Sequence, residues 1–316
     1  MEKILAAVDG SFASNQALKI ASVLAKSFKS SLTLLHVMEF KKIMLLHDDF
    51  TGGWISYLNE TAERLHKKGE KILDEAKQGL NVEVIPRLEL GNPAEIICDT
   101  AKEEDFDLIT MGSRGLSDFG GILLGSVSHQ VLERSSVPVL ITKSGEEKED
   151  RRGPAFKKIL AAVDGSRGSK TALLYAANLA HQLPLELIIL HAIPDIRYTP
   201  YYLETFAVEA ADTILQDELN RLKEKGIQVL QDAEKSISDF KISIKKRMET
   251  GDPSKIINRV AAEENVDLIV MGTKGPSEWL SLVSSGTSHR TLEISTRPIL
   301  FVKETIAHLA AVGAKS

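Results

Sequence analysis

Two short glycine-containing segments of the chain have the residue types of an anion site. Asp9-Gly10-Ser11 follows one apolar, strand-like run, and Gly112-Ser-Arg-Gly115 follows another. Glycine leaves backbone amides unshielded and permits positive φ, and Gly125-Ser126 opens a helical segment after nine further residues. Amides at a helix N-terminus together with a hydroxyl bind anions, so this loop and Ser126 could cradle phosphates. Asp9 could accept a hydrogen bond from a ribose or from an adenine amine.

These segments occur twice, because the chain is one domain repeated in tandem. Lys3–Ser11 recurs unchanged as Lys158–Ser166, at a spacing of 155. Phe106–Gly115 is matched by Val266–Gly275 at a spacing of 160, so the copies differ by a five-residue insertion between these landmarks. The repeat is far longer than a solenoid unit, and each copy should therefore be a self-sufficient globular domain.

The domain boundaries follow from composition. A stretch from Ser144 to Pro154 is charged and lacks apolar residues, so it cannot contribute to a core. We expect domains at 1–143 and 157–304, a linker at 144–156 and an Ala-rich C-terminal tail at 305–316.

The periodicity predicts an α/β fold. In each copy, short β-branched runs alternate with helical segments, as in a parallel sheet covered by helices on both faces. Two repeated doubly wound domains result, each with a five-stranded, mainly parallel sheet. The strands predicted in the first copy are Ile4–Val8, Leu32–Val37, Val82–Leu88, Leu108–Met111 and Val137–Thr142. The helices predicted there are Ser14–Lys29, Leu58–Gln78, Pro93–Glu104 and Ser126–Glu133.

In such a sheet, ligands bind beyond the carboxyl ends of the strands, where the strand order reverses. Asp9 ends the first predicted strand and Gly112 the fourth. If these two strands are neighbours, the two glycine-containing loops face each other across one crevice.

At these residues the chain resembles a tandem universal stress protein. The family pattern is Gly, two residues, Gly, nine residues, then Gly-Ser or Gly-Thr, and Gly112, Gly115 and Gly125-Ser126 fit it at every position. Further landmarks cover both copies almost end to end. The resemblance implies an adenine nucleotide alpha hydrolase-like fold and a stress-response or signalling protein that binds ATP, with which Mg²⁺ could be associated.

The resemblance also implies which residues form the site, with an adenine slot near Ala7–Asp9 and Val37. The nucleotide-binding residues expected in the first copy are Ala7, Val8, Asp9, Val37, Met111, Gly112, Arg114, Gly115, Gly125, Ser126, Val127 and Ser128. Those expected in the second are Asp164, Gly272, Gly275 and Gly286. No catalytic residue and no metal ligand is assigned.

The second copy departs from the pattern. At the spacing of 160, Gly125 falls on Ser285 and Ser126 on Gly286, which reverses the order of glycine and hydroxyl. A Cβ then stands where backbone should approach phosphate. We expect ATP mainly in the first domain, and weaker affinity or a different ligand in the second.

Composition excludes several classes of protein and partner. A net charge of −5 argues against nucleic acid, and no run of 18 apolar residues suggests a membrane span. The first residues enter a strand directly, so we expect a cytoplasmic protein without membrane insertion. In the family the closing strands pair, which implies an internal pseudo-dimer of the two domains and allows a homodimer.

Two other functions stay open. A slow ATP hydrolase is opposed by the lack of a Walker motif and of a nameable base. A scaffold that binds an apolar ligand or a protein partner without nucleotide is suggested by the aromatic segment Tyr198–Phe206. The histidines repeated at positions 36 and 191 invite a metal site, but bonding to a backbone group is the favoured interpretation.

Overall fold

The structure, a computed structural model, describes residues 1–39, 54–113, 124–143, 156–195, 211–273 and 286–304. The chain divides into two compact units, Met1–Ala155 (unit 1) and Phe156–Ser316 (unit 2). The predicted linker, apart from Phe156, and the predicted tail fall outside the described residues, so their bounds stay predictions. Among the described helices, none is both long and apolar enough to cross a membrane.

Unit 1 alternates strands and helices along the chain. Its described strands are β1 (Lys3–Ala7), β2 (Ser31–Glu39), β3 (Val84–Gly91), β4 (Leu108–Gly112) and β5 (Val139–Thr142). Its described helices are α1 (Phe12–Phe28), α2 (Trp54–Lys77), α3 (Pro93–Glu103) and α4 (Ser126–Arg134).

Unit 2 repeats the same succession. Its described strands are β6 (Lys158–Ala162), β7 (Glu186–Ile193), β8 (Ser243–Thr250), β9 (Leu268–Thr273) and β10 (Ile299–Lys303). Its described helices are α5 (Arg167–Gln182), α6 (Ala211–Ser236), α7 (Pro253–Glu263) and α8 (Thr287–Ile294).

The strand order places a reversal point in each unit. In unit 1 the order is β3-β2-β1-β4-β5, and in unit 2 it is β8-β7-β6-β9-β10, with parallel pairing between the neighbours. Because parallel crossovers are right-handed, α1 and α2 cover one face of the first sheet, and α3 and α4 the other. The predicted doubly wound α/β class is confirmed.

The two strands beside the reversal point are deeply buried. Ile4 and Leu5 of β1 lie beside Leu108 and Ile109 of β4, and all four are fully buried. β1 pairs with β4 directly, as predicted, so the described ends of these strands, at Asp9 and at Gly112-Ser113, lie at the same crevice. This buried apolar pair of strands therefore fixes the distance between Asp9 and Gly112.

Predicted and observed elements differ by a few residues where local hydrogen bonding decides. α1 begins at Phe12, two residues before the predicted start, because the Ser11 side chain accepts the Ser14 amide as its N-cap. β3 begins at Val84 and runs to Gly91, since it pairs with β2 along its whole length. β5 begins at Val139 because a bond from the Val137 amide to Ser135 Oγ holds the preceding residues in a turn.

Candidate functional site

The loop after β1 is held by a small network of hydrogen bonds. The Ser11 amide donates to Asp9 Oδ1 at 2.9 Å, and the Asp9 amide donates to Ser14 Oγ at 3.4 Å. Gly10 between them has φ 81°, a conformation that favours glycine. The network orients the Asp9 carboxylate at the crevice before any ligand arrives.

Unit 2 repeats this network at Asp164. The Ser166 amide donates to Asp164 Oδ1 at 2.9 Å, the Asp164 amide donates to Ser169 Oγ at 3.3 Å, and Gly165 has φ 83°. Burial alone raises the pKa of Asp164, but hydrogen bonds from Ser166 and Ser169 outweigh it and hold that pKa below its ordinary value. Asp164 is therefore a fixed anion and hydrogen-bond acceptor at neutral pH.

The N-terminus of α4 faces the same crevice in unit 1. Its N-cap is Gly125, which offers no side-chain cap, and the Gly125 amide donates to the Ser113 carbonyl at 2.7 Å. Ser128 Oγ donates to the Ser113 carbonyl at 2.8 Å, which ties the first turn of the helix to the end of β4. The first amides of an α-helix have no intrahelical acceptor, so Ser126 and Val127 present donors to an anion.

The structure corrects the reason for glycine at position 112. Gly112 is the last residue of β4 and is absent from the described positions with positive φ. A Cβ there would lie 2.7 Å from the Ser14 amide nitrogen and 2.8 Å from Ala13 Cβ. Gly112 therefore allows α1 to approach β4 closely, and Gly272 does the same in unit 2, where a Cβ would lie 2.2 Å from the Gly168 carbonyl carbon.

The structure also corrects the comparison of the two helix starts. When the last residues of the two helices are matched at the spacing of 160, Arg134 with Ile294, α8 begins one residue later than α4. The N-cap of α8 is Gly286, and its first helical residue is Thr287. In position relative to the helix, Gly286-Thr287 thus corresponds to Gly125-Ser126. The order of glycine and hydroxyl is kept, and the one-residue shift is absorbed by a longer loop and a shorter helix.

Predicted residues of unit 1 come together around one cavity of about 450 Å³. The predicted residues that line it are Ala7, Val8, Asp9, Val37, Met111, Gly112, Gly125, Ser126, Val127 and Ser128. In unit 2, Asp164, Gly272 and Gly286 line a corresponding cavity of about 840 Å³. Arg114, Gly115, Lys274, Gly275 and the segment Tyr198–Phe206 lie outside the described residues.

One wall of each cavity was missed from the sequence. The long helix α2 contributes Leu65, Lys68 and Ile72 in unit 1. In unit 2 the equivalent helix α6 contributes Leu222, Lys225 and Val229. The sequence does contain a signal for this wall, because a Leu-x-x-Lys-Gly motif occurs in both helices at a spacing of 157. This spacing differs from the spacings of 155 and 160 of the two longer repeated segments.

The repeated strand-end histidines also line the cavities. His36 Nδ1 lies 2.7 Å from the Val8 carbonyl oxygen, and His191 Nδ1 lies 2.7 Å from that of Val163. A carbonyl only accepts, so in each case Nδ1 carries the proton. Within the described residues, no group of three or more His, Cys, Asp or Glu side chains is arranged to hold a metal ion.

Comparison with known proteins places both repeats in one family. A sequence model of the universal stress protein family matches residues 1–143 and 155–303. The chain is 38% identical to universal stress protein YxiE of Bacillus subtilis over 149 residues, which is 45% of this chain and 98% of that protein. It is 24% identical to a universal stress protein of Mycolicibacterium smegmatis over 306 residues, 95% of this chain and 96% of that one.

A solved structure has a similar fold along nearly the whole chain. It is a universal stress protein from Archaeoglobus fulgidus, with 26% identity and a TM-score of 0.62 over 96% of this chain and 97% of that one.

Proposed function

Because the chain belongs to the universal stress protein family, we propose that it binds adenine nucleotide, ATP foremost, at the crevice of each unit. This proposal rests on one observation. A carboxylate held by hydrogen bonds and a helix N-terminus that no side chain caps line the same cavity, at the strand reversal point. Cavities of 300 to 1,000 Å³ are typical of small-molecule sites, roughly the range of both cavities.

The unit 1 cavity offers a separate group for each part of the nucleotide. Val37, Met111 and Ile72 supply an apolar wall for the adenine. Asp9 would accept from a ribose hydroxyl or the adenine amine, and the amides of Ser126 and Val127 would donate to phosphate oxygens. The same three kinds of group recur in unit 2, around Asp164 and the N-terminus of α8.

The protein would hold Mg²⁺ only as a companion of the phosphates. Mg²⁺ commonly binds through substrate phosphates and water with one or two carboxylates. Asp9 and Glu39 line the unit 1 cavity, which is compatible with this mode, whereas the described residues form no cage of their own. When bound, the ion would supply charge neutralisation for the phosphates.

Occupancy of the two sites is the proposed signal: bound nucleotide would bridge the loops after the first and fourth strands and alter the surface that a partner meets. The protein is expected to act in the cytoplasm. Binding without turnover is the proposed activity, because the sequence contains no Walker motif.

The test is to denature freshly purified protein and to quantify the released nucleotide by chromatography and mass spectrometry, then to titrate nucleotide-free protein with Mg-ATP. We expect more than one adenine nucleotide per chain at saturation and no phosphate release on prolonged incubation. Steady turnover that co-purifies with the protein would establish the hydrolase instead. Extracted lipid, with no heat on titration, would support the scaffold.

A further inference from the structure

The described residues that line the two cavities belong to matched elements but carry opposite formal charge. Among the described lining residues, Asp9, Glu39 and Lys68 give the unit 1 cavity a charge of −1. Asp164, Lys225 and Arg290 give the unit 2 cavity a charge of +1. Two exchanges produce the difference, because unit 2 has Pro194 where unit 1 has Glu39, and Arg290 where unit 1 has Gln130.

Arg290 holds unused hydrogen-bond donors in the unit 2 cavity. Its guanidinium donates from Nη1 to Asp252 Oδ2 at 3.4 Å, a long bond. Its Nε is enclosed, with no acceptor among the described residues. A guanidinium has five N–H donors in a planar fork that suits phosphate oxygens, so Arg290 can bond a phosphate while staying close to Asp252.

Asp252 does not depend on Arg290 for its own satisfaction. Its Oδ1 accepts from the Ser254 amide at 2.9 Å and from the Lys255 amide at 3.3 Å, as the N-cap of α7. The carboxylate therefore keeps acceptor contacts when the guanidinium turns toward a ligand. Asp252 acts as a tether that leaves Arg290 beside the cavity.

Thr273 is a second residue of the same cavity whose hydrogen-bonding capacity is not satisfied. Its side chain is 2% exposed, and Oγ1 has no hydrogen-bond partner among the described residues. A ligand oxygen would supply the hydrogen bond that this buried hydroxyl lacks. Among the described residues that line the unit 1 cavity, none has a buried side-chain polar atom in this condition.

Space and helix geometry favour a longer ligand in unit 2. The cavity there is about 840 Å³ against about 450 Å³ in unit 1. α8 starts one residue later than α4, which withdraws its N-terminus by about 1.5 Å along the helix axis. Lys225 lies on the opposite wall and forms no ion pair with a described residue.

We infer that unit 2 is the polyphosphate-selective site of this chain, with Arg290 and Thr273 as its specificity-determining residues. This inference rests on the proposed function. The phosphate chain of ATP is held between the N-terminus of α8, Arg290, Lys225 and the Thr273 hydroxyl. Unit 1, whose described lining is negative, binds adenine nucleotides with little dependence on the number of phosphates. Occupancy of unit 1 would therefore depend on the concentration of all adenine nucleotides, and occupancy of unit 2 on that of ATP.

The experiment isolates each site in the full-length chain. Thr287→Asp or Ser126→Asp places a carboxylate at the first residue of α8 or α4, where the helix dipole favours it but a phosphate is repelled. Asn81→Asp, in an exposed turn remote from both cavities, is the control for added charge. Each protein is titrated calorimetrically with AMP, ADP and ATP.

The Ser126→Asp variant reports the unit 2 site, and the Thr287→Asp variant reports the unit 1 site. We expect the ratio of ATP affinity to AMP affinity to be at least about ten times higher at unit 2 than at unit 1. Arg290→Gln, which installs the unit 1 residue, should lower the unit 2 ratio about tenfold and change AMP affinity little. Gln130→Arg should raise the unit 1 ratio. Asp252→Asn, which releases the tether and keeps the cation, should preserve selectivity.

Equal ratios at the two sites, or a ratio that Arg290→Gln leaves unchanged, would overturn the inference while nucleotide binding itself stands. A ratio that collapses equally in Asp252→Asn would also overturn it, because Arg290 would then act only through local structure. If no adenine nucleotide binds to wild type or to Asn81→Asp, the proposed function fails and this inference with it.

Discussion

At the scale of single residues, the site depends on short polar side chains that satisfy backbone groups. The loops at Asp9 and Asp164 repeat the same Asp–Ser–Ser bonding, which holds a carboxylate where a strand ends. The starts of α3 and α7 repeat a Gly-Asx-Pro signal but differ in charge, because Asn92 caps α3 and Asp252 caps α7. This pair provides a matched experiment inside one chain.

The charged cap should make unit 2 sensitive to acid. The hydrogen bond from Ser254 lowers the pKa of Asp252 most, burial opposes it, and the Lys255 amide and Arg290 lower it further. A carboxyl whose folded-state pKa is depressed stabilises the protein above its unfolded value of about 3.9, and this stabilisation is lost as the pH falls through the folded-state pKa.

We therefore expect wild type to be more stable than Asp252→Asn at pH 7, with the difference shrinking progressively below about pH 5. Urea unfolding followed by circular dichroism at each pH measures it. Asn92→Asp in unit 1 is the reciprocal variant and should introduce a weaker dependence, because unit 1 has Ala94 and Gln130 where unit 2 has Ser254 and Arg290. A difference between wild type and Asp252→Asn that is constant with pH would contradict this assignment.

At the scale of elements, the long helix of each unit lies directly against the strand-end histidine because a glycine faces it. A Cβ at Gly69 of α2 would lie 3.1 Å from His36 Cδ2, and one at Gly226 of α6 would lie 2.9 Å from His191 Cδ2. The same helices supply the lysines of the cavity wall. Close helix packing and the shape of the site are therefore linked.

The two glycines should respond differently to alanine. At Gly69 the nearest atom, 2.6 Å away, is the flexible end of Leu88. At Gly226 the nearest atoms are the His191 ring, held by its bond to Val163, and Met248 Sδ, both at 2.9 Å. The gain in helix propensity of about 1 kcal/mol is common to both sites.

Gly69→Ala should be close to neutral, whereas Gly226→Ala should destabilise unit 2 by about 1–2 kcal/mol and weaken its nucleotide binding. Hydrogen exchange read by mass spectrometry resolves the two units. Equal protection of α6 in wild type and Gly226→Ala would show that the helix adapts without strain.

Much of this architecture could be predicted from sequence, and the failures have physical causes. Alternating apolar runs gave the strands, and the helix predicted from Pro93 begins at that residue as α3. The start of α8 could not be read at a fixed spacing, because the loop before Gly286 is one residue longer and the helix one residue shorter. Gly112 was assigned to the ligand, whereas its missing Cβ also serves the packing of α1.

At the scale of the whole molecule, the chain carries two versions of one site. The sequence directed attention to unit 1, since its glycine pattern is complete there. The cation of unit 2 could not be recognised from sequence, because nothing in Arg290 alone indicates that it lies beside Asp252 and lines the same cavity as Thr273. Only the fold brings a helix residue, a strand end and a helix cap together.

One chain should hold two separate nucleotide sites, and calorimetric stoichiometry with Mg-ATP tests this most directly. Nucleotide-free wild type should bind two ATP per chain, and Ser126→Asp and Thr287→Asp should each bind one. The double variant should bind none, while Asn81→Asp behaves as wild type. A wild-type stoichiometry of one that Thr287→Asp leaves intact would contradict the account, since unit 2 would then have no part in binding.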